Sequence, residues 1–115
     1  MSVWKIQASG QAAPLYLIDS RLAGDAPNPL CGTAGCVFFA YIPSSDRYQQ
    51  VFLAYLDPRL PPEVELFEVI TTLEEGFPTL MVHQLDGRHL QQLTLSFTGQ
   101  RYEVVNTQHL PQVYE

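Results

Sequence analysis

The residues best suited to chemistry lie in one stretch, Leu30-Cys31-Gly32-Thr33-Ala34-Gly35-Cys36, which contains both cysteines of the 115-residue chain. Three chemistries compete for the pair: a disulfide pinning a tight hairpin, a working dithiol, and half of a metal site. If Gly32 and Gly35 flank a Thr33-Ala34 turn, Cys31 and Cys36 face each other across two strands, near the Cα separation a disulfide requires. Closing so short a loop adds only about 2 kcal/mol by chain entropy, so such a bridge would fix a turn rather than hold a fold. A reactive dithiol needs a thiolate stabilised by a cation or a helix N-terminus, usually in a Cys-x-x-Cys motif. Here the spacing is longer, and the nearest basic residues, Arg21 and Arg47, are ten or more positions away. Zinc would need two further ligands, for which His83, His89 and His109 are the available imidazoles. His83 and His89 flank a "QLDG" turn, but there is no second cysteine pair. The spacing favours a structural bridge between Cys31 and Cys36. A thiol-disulfide redox or regulatory role for the same pair is the alternative.

Other reactive constellations are sparse. The chain has no Gly-x-Ser-x-Gly elbow, no Walker loop and no Gly-x-Gly-x-x-Gly, and "GTAG" lacks the Lys and hydroxyl residue that phosphate chemistry requires. Glu63, Glu65, Glu68, Glu74 and Glu75 form an acidic cluster. Paired carboxylates can act as acid and base, but a solvated acidic face is the simpler reading. Asp19 and Asp25 in "DSRLAGD" are oxygen donors without the alternate spacing of a calcium loop. The sequence therefore assigns no catalytic residue, no cofactor and no metal, and the expectation is a protein that is not an enzyme.

Composition narrows the partners. Twelve acidic residues against six basic ones give a net charge of −6, which argues against nucleic acid, because nothing would replace the counterions that phosphates release. The same balance disfavours anionic membrane surfaces. No segment has the length of a membrane span, and the N-terminus "MSVWKIQASGQAA" lacks the apolar run of a signal peptide. The expectation is a soluble chain, cytoplasmic by default, or exported if an upstream leader precedes it.

The elements that must position these residues are short. Gly and Pro divide the sequence into apolar segments of strand length at residues 3–7, 15–18, 37–42, 48–56, 64–70, 79–84, 89–97 and 102–105. Between them lie "AGDAPNP", "PSSD", "DPRLPP", "EEGFP", "LDGR" and "TGQ". Asp86-Gly87 has the strongest hairpin chemistry, because a two-residue loop needs positive φ. In "HLQQLTLSF", Leu93, Leu95 and Phe97 alternate with Gln92, Thr94 and Ser96, the pattern of a half-buried strand. In "YQQVFLAYL", Val51, Leu53 and Tyr55 alternate with Phe52, Ala54 and Leu56, so both faces are apolar and a central or covered strand is expected. Residues 61–76 are ambiguous. Leu66, Val69, Ile70 and Leu73 fit a helical template, whereas the β-branched run favours a strand through Ile70 followed by a turn or short helical piece. No internal repeat and no linker divides the chain, so residues 1–115 are read as one domain.

The order "YLIDSRL", "PLCGTAGCVFFAYIP", "YQQVFLAYLDP" and "LTLSFTGQRYEVV" resembles small uncharacterised cyanobacterial proteins with a CGTAGC hairpin. It is more distantly similar to bacterial envelope β proteins, in which a CGxxGC hairpin precedes a strand and a closing strand ends in a Phe-x-Gly-x-x-Tyr corner. The resemblance implies a β-rich module and no known activity, and the distant relatives tend to be exported.

The reading is an all-β, antiparallel protein, a meander or small sandwich of about seven or eight short strands with one short helix as an optional element. Its expected function is as a non-catalytic protein-binding or accessory module, partnering another protein or a second copy of itself. The candidate surface is Val51, Leu53 and Tyr55, since aromatics are enriched and charges depleted at interface cores. Only one of the two alternating sets on that strand can face a single core.

Overall fold

The computed structural model describes residues 2–19, 31–32 and 35–113. The "AGDAPNP" segment, Asp25 and the Thr33-Ala34 turn lie outside the described residues. The described chain is all-β and antiparallel and holds no helix. Strands β1 (Ser2–Ile6), β2 (Leu15–Asp19), β3 (Cys31–Gly32), β4 (Gly35–Ser44) and β5 (Arg47–Leu56) form the first sheet; β6 (Phe67–Glu74), β7 (Phe77–Asp86), β8 (His89–Phe97) and β9 (Tyr102–Val113) form the second. The first runs β1-β2-β4-β5, with the two-residue β3 on the same side of β4 as β2; the second runs β6-β7-β8-β9. Each sheet is an up-and-down meander, and together they make a sandwich.

Period-two alternation builds the core. Leu15 and Leu17 on β2 and Phe38, Ala40 and Ile42 on β4 point inward, against Leu80 and Val82 of β7 and Leu95 and Phe97 of β8. Aromatic rings cross the gap between sheets, with Phe38 and Phe67 centroids 5.4 Å apart and Phe52 and Phe67 6.1 Å apart. Phe38 is fully buried, and truncating such a side chain to alanine costs about 3–5 kcal/mol.

Polar contacts fasten the sheets at their ends. The Ala12 N–H donates to the Gly76 carbonyl at 2.9 Å, and Gln49 Nε2 to the Gln100 carbonyl at 2.8 Å. Gln84 brackets Asp57, accepting from its N–H at 2.8 Å and donating to its carbonyl at 2.9 Å.

Three expectations change. The 48–56 strand is an edge strand, β5, paired with β4 alone among the described residues, and its outward side chains Leu53 and Tyr55 are exposed rather than covered. The sandwich covers one face of each sheet, which leaves the outer apolar set of β5 in solvent. Residues 61–76 form neither a helix nor a strand starting at 64: β6 begins at Phe67 and continues to Glu74, past Ile70. Its register breaks between Ile70 and Leu73, so that Phe67, Ile70 and Leu73 are its least exposed residues. A bulged strand thus imitates the three-residue spacing of a helix face. The final strand is also far longer than residues 102–105, because β9 carries polar residues that alternation does not reveal.

Candidate functional site

The cysteine hairpin is built by β3 and β4. Cys31 is the direct antiparallel register partner of Cys36, and Gly32 of Gly35. Direct partners in such a ladder have Cα atoms about 4.5–5.5 Å apart, within disulfide range. Gly35 is indispensable to this geometry: its φ is +108°, and a Cβ there would collide with the Leu56 carbonyl. Cys36 belongs to the hydrophobic core, only 7% exposed, a poor place for a thiol that must meet an external partner.

The outer face of the first sheet is the second candidate. Val3 and Lys5 of β1, Tyr16 and Ile18 of β2, Phe39 and Tyr41 of β4, and Leu53 and Tyr55 of β5 share it by register. Leu53 is 49% exposed and Tyr55 60%. Val51 does not join them. The β4–β5 register shifts after Ala40, which pairs with Phe52 while Tyr41 pairs with Gln50. Val51 is the extra residue and is buried at 1% exposure in the core. The bulge also returns Tyr48 and Gln50 to the outer side, where Tyr41 donates its hydroxyl to Gln50 Oε1 at 3.2 Å. Sequence alternation alone missed Tyr16, Tyr41 and Tyr48, because they come together only through strand pairing.

The histidines do not converge. His83 is buried, with Nδ1 2.9 Å from the Glu65 carbonyl and Nε2 3.1 Å from the Gln92 amide nitrogen. Both ring nitrogens therefore have hydrogen-bond partners within the protein, which leaves His83 as a satisfied core side chain. His109 instead lies 3.0 Å from the Asp86 carboxylate. Among the described residues no group of three His, Cys, Asp or Glu side chains is arranged to hold a metal ion. Glu63, Glu65 and Glu68 line a surface cleft with His83, and Glu74 and Glu75 lie apart at the β6–β7 turn. Both carboxylate oxygens of Asp57 take Arg59 N–H donors, at 3.0 and 3.1 Å. That hydrogen bonding holds the Asp57 carboxyl below its ordinary value.

Comparison with protein-family models, curated proteins and solved structures gives no match. No helix among the described residues is long and apolar enough to cross a membrane.

Proposed function

We propose that this protein is a non-catalytic binding or accessory module that docks on another protein, or on a second copy of itself, through the outer face of the first sheet. The observation that carries the reading is the exposure of Leu53 and Tyr55 side by side with Phe39 on a face that holds one charged residue, Lys5, among the described register positions. Monomers rarely expose contiguous apolar surface without using it. The test is the double substitution Leu53→Lys with Tyr55→Ser, followed by circular dichroism and light scattering. Retained fold with lost association supports the docking face. An unchanged mass distribution and unchanged capture of a partner removes it.

We also propose that Cys31 and Cys36 form a structural disulfide, which lends rigidity to the hairpin leading into β4. The burial of Cys36 supports this over thiol exchange. Mass spectrometry after alkylation, with and without reductant, reads the bond directly, and a rapidly reducible, poised pair would favour the redox alternative. The motif resemblance to envelope β proteins with a CGxxGC hairpin fits an exported protein, in whose compartment such a bond persists.

A further inference from the structure

Among the described residues, β1 and β5 lie at edges of the first sheet and β6 and β9 at edges of the second. An exposed edge invites a foreign strand unless charges, prolines or irregular pairing blunt it. Lys5 lies within β1, Glu68 and Glu74 with a register shift mark β6, and Glu103 and Pro111 with two register shifts mark β9. On β5, by contrast, the stretch Tyr48–Leu56 holds neither a charge nor a proline. We infer that β5 pairs antiparallel with β5 of a second copy, so that both layers of the sandwich continue across the contact. The inference rests on the docking reading and narrows it to one partner and one edge.

Burial along β5 calls for a strand beside it rather than a layer over it. Leu53 and Tyr55 are exposed on the outer side, while Phe52 and Ala54, on the inner side, are only half-buried. Those two inner residues open on a groove at the seam between the sheets, shared with Leu95, Tyr102 and Val104 of the second sheet. A partner laid on the outer face would leave that groove open. A strand added along the edge closes both sides at once.

The bulge makes β5 complementary to itself. Because Val51 is the extra residue, Val51 and Phe52 both point inward, and from that step the side chains alternate out and in toward Arg47 in one direction and toward Leu56 in the other. A twofold axis through the Val51–Phe52 step therefore matches sides at every pair. Without the bulge, the same register would oppose inward residues to outward ones. The pairing sets Tyr48 opposite Tyr55 and Gln50 opposite Leu53 on the outer side, and brings Arg47 of one copy diagonally beside Asp57 of the other.

Area selects a second copy over a lone strand. β5 has 10 residues, about 34 Å of strand, and the molecule measures 20 Å along its shortest axis. The side wall then offers about 700 Å² per copy, near the roughly 800 Å² per partner of a stable interface. A single foreign strand would cover one layer of that wall. A second copy brings its own β9 against β9 and covers both.

The experiment joins sedimentation of the intact protein across concentration to crosslinking that reads the register. Tyr48 and Tyr55 are 66% and 60% exposed, so Tyr48→Cys and Tyr55→Cys leave the fold intact. The mass is expected to double with rising concentration. Mixing the two variants under mild oxidation should give a covalent dimer, because partners across the ladder lie about 5 Å apart at Cα. Neither variant should crosslink alone, since identical positions lie about 24 Å apart. A protein that stays monomeric, or crosslinking without this selectivity, overturns the inference. A monomer that captures another protein, and loses it on Leu53→Lys with Tyr55→Ser, overturns the second copy while the docking reading stands; a dimer untouched by that double substitution removes both.

Discussion

Tyr102 joins two distant points of the chain through one atom. Its hydroxyl donates to the Pro78 carbonyl at 2.7 Å in a buried setting, and burial pushes its pKa well above the ordinary 10.0. The unfolded chain would therefore lose this proton at lower pH than the folded one. The stabilisation is complete below about pH 10 and is lost as pH rises toward the native value. Alkaline titration followed by circular dichroism should show unfolding coupled to tyrosinate formation, and Tyr102→Phe should abolish that coupling while costing about 1–2 kcal/mol at neutral pH. Gly35 gives a second residue-scale expectation. Gly35→Ala combines a positive φ with a backbone clash at Leu56 and should destabilise by more than about 1 kcal/mol in chemical denaturation. The sequence announced both places, through the glycine-flanked cysteines and the Phe-x-Gly-x-x-Tyr corner. The Pro78 partner, 24 residues away, has no local signature and emerges only when β7 and β9 share a sheet.

Hairpins were the most legible elements, because their turn chemistry is local. Asp86 pairs with His89, which makes Gly87-Arg88 the two loop residues, with Gly87 at φ +65°. The tip falls one residue beyond Asp86-Gly87. Nothing lies within 4 Å of a Cβ at Gly87, so Gly87→Val should lower stability through backbone strain alone, by about 1–2 kcal/mol, readable as a fall in Tm. Bulges were the least legible, since an inserted residue reverses the side assigned to everything beyond it. Val51 is the case in point: alternation sets it beside Leu53 and Tyr55, whereas the register shift after Ala40 turns it into the core. Thermal melts should separate the two kinds of position. Val51→Ala should cost about 1–3 kcal/mol, and Leu53→Ala, at a half-exposed edge position, within about 0.5–1 kcal/mol.

At the scale of the molecule, net charge was the readable property and strand order the unreadable one. A charge of −6 predicts no salt-sensitive gel shift with duplex DNA or structured RNA at micromolar protein, and such a shift would contradict it. Fold class followed from many short apolar segments. The place of β5 at an edge did not, because double-faced apolar alternation looks the same whether the outer set meets a covering layer, a partner or solvent.

Among the described residues, both sheets are assembled from strands that follow one another along the chain, and no strand crosses from one half to the other. Strands β1 to β5 carry one layer and β6 to β9 the other. Loop-closure entropy is consequently modest for the described pairings within each layer, and the main nonlocal step among them is the docking of two preassembled halves. A β protein arranged in this way should refold faster than a Greek-key sandwich of equal length. A single proteolytic cut between residues 58 and 66 should leave two fragments that reassociate into the native sandwich, which mixing experiments followed by circular dichroism can observe.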